Sequence, residues 1–307
     1  MTLRDRFEAL EAATDHAARI AVDPVSFAHR YPDPADAEIA GLLAASLAYG
    51  RVTLFRPVVE AALAAADAQG GPAAFARTFD PDRDGAPLRP LVYRWNRGID
   101  LVLLFATLRE ALARHGGLAP LFRGWRPEDG DVQRVLTRAI EELRVTAVEV
   151  APSCGIRAAS FDALPRGFRY LLPSPAGGSA CKRWNLYLRW MVRPPTGGVD
   201  LGLWDLLPPR ALVIPLDTHV ARIARLVGLT ERTDGSWRTA VDITRALALL
   251  DPEDPVRFDF ALAHLGISGA CTGRHDPAVC PRCPLQPHCL HGGALSTGRR
   301  SPLDVAR

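Results

Sequence analysis

Two single side chains and one group of cysteines in this sequence have the types and spacing for chemistry. Lys182 is the only lysine among 307 residues; the other non-histidine side-chain cations are all arginines. An arginine keeps its proton in a protein, so it cannot replace an amine that must act as a nucleophile. Lys182 follows a run of small and turn-forming residues from Ser174 to Ala180. It falls in the first turn of the next helical pattern, where the helix dipole slightly disfavours a cation. That place suits an amine that must lose a proton before it attacks. A solvated surface lysine is the other reading. Asp217 lies 35 positions further on, in Pro215-Leu216-Asp217-Thr218-His219-Val220. Pro and Asp ahead of Val220, Ile223, Ala224 and Val227 mark a helix start. Asp217 or Thr218 is then a good N-cap, which explains the aspartate without chemistry and is compatible with it. His219 and Arg222 fall on or near that helix's polar side and take no chemical role.

Four of the six cysteines form Cys271-x8-Cys280-x2-Cys283-x5-Cys289. In a cytoplasmic chain such a cluster implies a metal site rather than disulfides. Cys154 and Cys181 stand apart and read as buried or idle thiols.

These residues need elements to position them. Trp184, Leu186, Tyr187, Leu188, Met191 and Val192 recur roughly at helical spacing, and Phe168 to Leu172 is an apolar run before the turn. The reading is helix, glycine hairpin, helix. Gly177, Gly178, Ser179 and Ala180 would present backbone N–H groups at the start of the second helix, where a phosphate is favoured. Upstream, residues 1–30 read as mostly helix, broken at Tyr31-Pro32-Asp33-Pro34. Asp36 to Leu47 and about Leu54 to Ala66 are helices, and Asp100 to His115 and Asp131 to Leu143 are amphipathic ones. The Gly/Pro/Asp-rich span 70–90 is loop with a short helix. Tyr93-Arg94-Trp95-Asn96-Arg97 is a single basic-aromatic patch, a weak signal for nucleic acid. Pro194 to Pro209 is an insert whose Trp204 and Leu206 predict docking on a core. No strand-like alternation is sustained, and the fold class is all-α.

Bulk properties bound the function. With 307 residues, 48% of them hydrophobic, the chain has ample length for one large or two closely packed domains. No apolar run reaches the roughly 18 residues of a membrane span. The acid-containing N-terminus does not read as a secretory signal, so a cytoplasmic location is expected. Neither a GxGxxG nor a P-loop is present. Residues 1–150 carry 18 Lys+Arg against 21 Asp+Glu, and residues 151–307 carry 19 against 13. The half with the hairpin and cysteines is therefore the basic one, as phosphate contact requires.

GGSACKRWNLYLRWM followed by IPLDTHVARIARLVGL resembles the helix-hairpin-helix DNA glycosylases of the endonuclease III type. Ala180 departs from the glycine of that hairpin, and the longer Lys–Asp gap is closer to the archaeal 8-oxoguanine glycosylases. The resemblance implies two helical subdomains flanking a DNA-binding cleft. Residues 1–34 would be an N-terminal helix packing on the C-terminal subdomain. Residues 35–195 would be a helical barrel ending in the hairpin, 196–291 the catalytic-aspartate and cluster subdomain, and 292–307 a disordered tail. It implies excision of a damaged or modified base from double-stranded DNA by base flipping. Lys182 would be the Schiff-base lysine, conferring AP-lyase activity, and Asp217 the essential aspartate. Tyr49 and Arg51 would lie nearest the loop that fills the gap left by the base. The cysteine spacing resembles the family's iron–sulfur loop, with a longer first gap. Cys271, Cys280, Cys283 and Cys289 would then hold a [4Fe–4S] cluster, with a structural zinc the alternative. Arg274, His275, Arg282 and His288 would project from that loop toward DNA phosphates. The expected protein is a cytoplasmic, nucleoid-associated monomer without a membrane partner. A non-catalytic DNA-binding module with a structural metal cluster is the competing function.

Overall fold

A computed structural model of the chain describes residues 1–291; the expected tail at 292–307 lies outside the described residues. The all-α expectation holds. Twelve α-helices follow one another among the described residues, and the only strands there are the two-residue pair Val92–Tyr93 and Asn96–Arg97.

The first thirty residues fold as α1 (Leu3–Ala12), α2 (His16–Val22) and a 3₁₀ turn, Pro24–Arg30. Thr2 and Asp5 close a capping box at the start of α1, satisfying backbone donors that the helix itself cannot. α3 (Pro34–Leu47) is capped by Asp33, whose Oδ1 accepts from the N–H of Ala35 and Asp36. From Ile39 to Leu47 it is almost entirely apolar, and there it is buried all round. α4 (Val52–Asp67) and α5 (Pro72–Thr78) follow, then α6 (Gly98–His115), which stops at Gly116 in the left-handed conformation. α7 (Gln133–Val150) runs a further two turns past the expected end. The β-branched residues Val145, Thr146 and Val148 weaken local helix propensity, but Leu143, Thr146, Ala147 and Val150 continue the buried stripe, and packing prevails. The remaining helices are α8 (Arg166–Leu171), α9 (Lys182–Val192), α10 (Thr218–Leu226), α11 (Trp237–Ala248) and α12 (Asp259–Ile267).

The helices fall into two compact units that are not contiguous in sequence. Among the described residues, one comprises Met1–Arg19, Gly178–Arg189 and 208–291; the other comprises Ile20–Gly177 and Trp190–Leu207. The sequence reading divides the chain instead at 34/35 and 195/196. In the first unit, Phe7 of α1 packs on Phe258 at 5.2 Å between ring centroids, and Arg257 pairs with Glu11 at 3.0 Å.

In the second unit, Phe75, Phe79 and Phe105 form an aromatic cluster joining α5 to α6. The insert docks here as expected. Trp204 is buried and its Nε1 donates to Glu38 Oε1 at 2.7 Å, but Leu206 is only half-buried, and Leu207 is the leucine that enters the core. Burial pushes the Glu38 carboxyl above its usual range, against the pull of that bond. Arg193 and Asp200 form a buried ion pair that ties the insert's start to its middle. No helix among the described residues is long and apolar enough to cross a membrane.

Candidate active site

Lys182 opens α9. The residue before it, Cys181, has φ +48, a backbone state that a side chain rarely adopts. That turn aims the lysine. It is held by Cys181 N–H donating to Ser179 Oγ at 3.2 Å and by Asn185 Nδ2 donating to the Ala180 carbonyl at 3.0 Å. Gly178, φ +79, accepts a hydrogen bond from the Trp237 N–H through its carbonyl at 2.9 Å, and Ser179 bridges to Ser236. The hairpin is thereby sewn to the start of α11.

Asp217 caps α10, with Oδ1 accepting from the N–H groups of His219 and Val220, each at 2.9 Å. Its other oxygen, Oδ2, stands 3.4 Å from Lys182 Nζ. The lysine side chain is 33% exposed and the aspartate 15%, so the pair is sheltered but open to a ligand. One carboxylate therefore does two jobs: one oxygen fixes its position and the other faces the amine.

Beneath this pair is a second one that the sequence reading missed. Arg189, two turns along α9 from Lys182, bonds Asp259 at the start of α12, and both are fully buried. Burial pushes the Asp259 carboxyl up to about 6, opposed by Arg189 and reinforced by the Asp217 carboxylate. Asp259 thus lies within electrostatic reach of the upper pair. The sequence signal was faint: Arg189 at Lys182+7 shares the lysine's helix stripe.

The helix that carries Asp217 is packed closely. A Cβ on Gly266 of α12 would meet His219 Cβ at 2.5 Å, so only glycine permits this approach. Arg222 Nη2 donates to the Cys271 carbonyl at 2.7 Å, and Leu290 N–H donates to the Leu226 carbonyl at 2.9 Å. The cysteine segment is hence tied to α10 at both ends.

Cys271, Cys280, Cys283 and Cys289 line one cavity of about 50 Å³, with Arg274 on its wall. A single water needs roughly 10–15 Å³ of such space, so the ring has room for more than one atom. Burial raises the Cys283 thiol, and charge on Cys271, Cys289 and Cys280 raises it further. Asp276 N–H donates to Cys280 Sγ at 3.2 Å. As placed, no three His, Cys, Asp or Glu side chains among the described residues form a metal-holding group; the thiols share a cavity rather than a point. The donor set itself, four soft sulfurs, fits an iron–sulfur cluster or zinc.

The other expected site residues are dispersed. Gly177 and Gly178 are exposed, and a Cβ on either would meet nothing within 4 Å, whereas Ala180 is buried. Arg274, His275 and Arg282 are exposed, His288 is half-buried, and Arg282 donates to the Ala278 carbonyl. Tyr49 and Arg51 belong to the second unit. Arg51 is exposed, and Tyr49 hydrogen-bonds Asn96 Oδ1 at 2.6 Å.

No curated protein matches the chain. No solved structure matches it. One family model matches residues 23–268, ending before Cys271. That finding overturns the assignment to the helix-hairpin-helix glycosylase superfamily, since no glycosylase family is detected. The resemblance rested on short motifs, a small-residue turn, a helix-capping aspartate and the spacing of four cysteines, and each is a local solution that recurs across unrelated folds. A match over most of the chain outweighs them, and the chain belongs to the family described as Protein of unknown function (DUF2400).

Proposed function

We propose that this chain is a DNA N-glycosylase that excises a damaged or modified base and cleaves the strand as an AP lyase. The reading rests on site chemistry, not on kinship. The observation that carries it is the sole lysine amine, 3.4 Å from a carboxylate whose other oxygen is locked by helix N–H groups. The base would be flipped out of the duplex to reach the amine. Asp217 Oδ2 takes a proton from Lys182 Nζ. The freed lone pair attacks the deoxyribose C1′, the glycosidic bond breaks with its electrons leaving on the base, and the base takes the proton held by Asp217, which returns the carboxylate; the proton left on the new C1′–nitrogen bond passes to O4′. The sugar ring then opens to a Schiff base. Loss of a proton from C2′ expels the 3′ phosphate by β-elimination. Asp217 also stabilises the positive charge that develops on the sugar.

The basic second half of the sequence supports a duplex DNA partner. Cys271, Cys280, Cys283 and Cys289 would hold a [4Fe–4S] cluster, or zinc, whose role is to crosslink the loop. The protein would act as a cytoplasmic, nucleoid-associated monomer. A second reading, a DNA-binding module without turnover, draws on the same pair, because an N-cap joined to an ion pair is also a structural device. Lys182→Gln separates the two. Under the enzyme reading it abolishes base release while duplex affinity stays within about twofold. Unchanged turnover would refute the role of the lysine.

A further inference from the structure

The basic-aromatic patch at Tyr93 to Arg97 folds into a hairpin, with Val92 opposite Arg97 and Tyr93 opposite Asn96. Its tip is Arg94-Trp95. Arg94 has φ +50, where a tight hairpin would ordinarily place glycine. The base of the hairpin is fixed. Tyr93 and Asn96 are buried. The Tyr49 hydroxyl donates to Asn96 Oδ1, and the Tyr93 hydroxyl donates to the Tyr49 carbonyl. Asn96 Nδ2 donates to the Gly167 carbonyl at 2.9 Å. Gly50, φ +75, suits this approach, because a Cβ there would be strained by the backbone and would meet the buried Tyr93 hydroxyl at 2.7 Å.

What the braced hairpin presents is unusual for a solvated surface. Trp95 is 48% exposed and Tyr170 is 41% exposed. The Arg166 guanidinium lies 4.4 Å over the Trp95 ring, and Arg94 lies 5.8 Å from the Tyr49 ring, which packs on Tyr170. Arg51, Arg94, Arg97 and Arg166 are all exposed, and none forms a salt bridge among the described residues. Elsewhere in this unit, Arg30, Arg83, Arg114, Arg134 and Arg144 each have a carboxylate, whereas Arg77, Arg89 and Arg123 are exposed without one, so what sets the hairpin apart is the pair of exposed rings beside its arginines. Unpaired arginines around two exposed rings suit a polyanion with flat faces: the phosphates take the charge and a base takes the ring.

We infer that the hairpin tip is a nucleic-acid contact in which Trp95 stacks on an unstacked base of a DNA strand, with Arg51, Arg94, Arg97 and Arg166 holding the flanking phosphates. The rigid base of the hairpin lowers the entropy lost on stacking. Tyr49 then acts from behind: it braces the hairpin that meets the strand. This surface shares no residue with the Lys182–Asp217 site.

The test is binding of the full chain to three fluorescent probes: single-stranded DNA, a duplex with one bulged base, and a fully paired duplex. Trp95→Ala should weaken the first two by roughly 5- to 150-fold, the range that one stacked base gives, with little effect on the paired duplex. Trp95→Phe should restore most of the loss. Arg97→Glu with Arg166→Glu should weaken all three probes and reduce the slope of log affinity against log salt. Far-UV dichroism of each variant, matching the wild type, excludes misfolding. Equal binding of wild type and Trp95→Ala to the bulged duplex would overturn the inference while leaving the glycosylase reading intact. Absence of binding to any probe by the wild type would overturn both, whereas weaker bulged-duplex binding by Trp95→Ala, together with a Lys182→Gln that binds normally but is inactive, would uphold both.

Discussion

Arg189 and Asp259 form a buried ion pair within electrostatic reach of the half-buried pair of Lys182 and Asp217. The inner pair fixes α9 to α12, and the outer one fixes α9 to the cap of α10. Both pairs draw on one stripe of α9, so one helix face anchors the helix at two levels.

The inner pair predicts a pH signature in stability. The Asp259 carboxyl ordinarily titrates at 3.8 and is raised to about 6, chiefly by burial. Between those values the folded state binds more protons than the unfolded one, so this residue's contribution to stability falls as pH rises. Urea unfolding of wild type and Asp259→Asn should show a stability difference, wild type minus variant, that declines from about pH 4 to about pH 6 and is flat above. A difference that grows over that window would contradict the assignment.

Gly266→Ala should destabilise the protein even though alanine is the better helix former. The propensity gain is about 1 kcal/mol. The new Cβ meets His219 Cβ at 2.5 Å, and overpacking of that kind costs typically ~1–3 kcal/mol. A net loss of up to about 2 kcal/mol is expected by thermal unfolding. Measured against the His219→Gly single variant, Gly266→Ala should lose much of this cost, since His219→Gly removes the Cβ that the new methyl meets. An additive double variant would argue against the close packing of α10 on α12.

The cysteine ring predicts a link between metal content and the aspartate. Its segment is tied to α10 through Cys271–Arg222 and Leu290–Leu226. Cys289→Ser should lower bound iron or zinc measured by elemental analysis. It should lower the unfolding midpoint by roughly 4–8 °C, the shift that about 2 kcal/mol gives in a domain of this size. Unchanged metal content and midpoint would remove the ring from the structural account.

Much of this arrangement was legible in the sequence. The apolar pattern at Asp36 to Leu47 and Asp100 to His115 marks α3 and α6, and the capping residues mark the start of α10. Asp217 as N-cap followed from Pro215 and the periodicity behind it. Other features were hidden for physical reasons. Arg189 looks like any charge on the polar side of an amphipathic helix, because a buried ion pair leaves no pattern along the chain. The two compact units interleave residues far apart in sequence, and no composition shift marks their seams. The Trp95 hairpin reads as a lone patch until Tyr49 and Gly167 are seen to brace it. The glycosylase kinship failed because a turn and a cap are local chemistry, whereas family membership is a property of the whole chain.

The central claim is that Lys182 is a nucleophile, and borohydride trapping tests it most directly. The protein is mixed with duplexes carrying an abasic site, thymine glycol, 8-oxoguanine or uracil, then reduced. With one lysine in the chain, the only rival amine is the N-terminus. The account predicts a covalent protein–DNA adduct that maps to Lys182 by peptide mass spectrometry and disappears in Lys182→Gln. Strand cleavage or base release by the wild type without an adduct, or an adduct that survives Lys182→Gln, would contradict it.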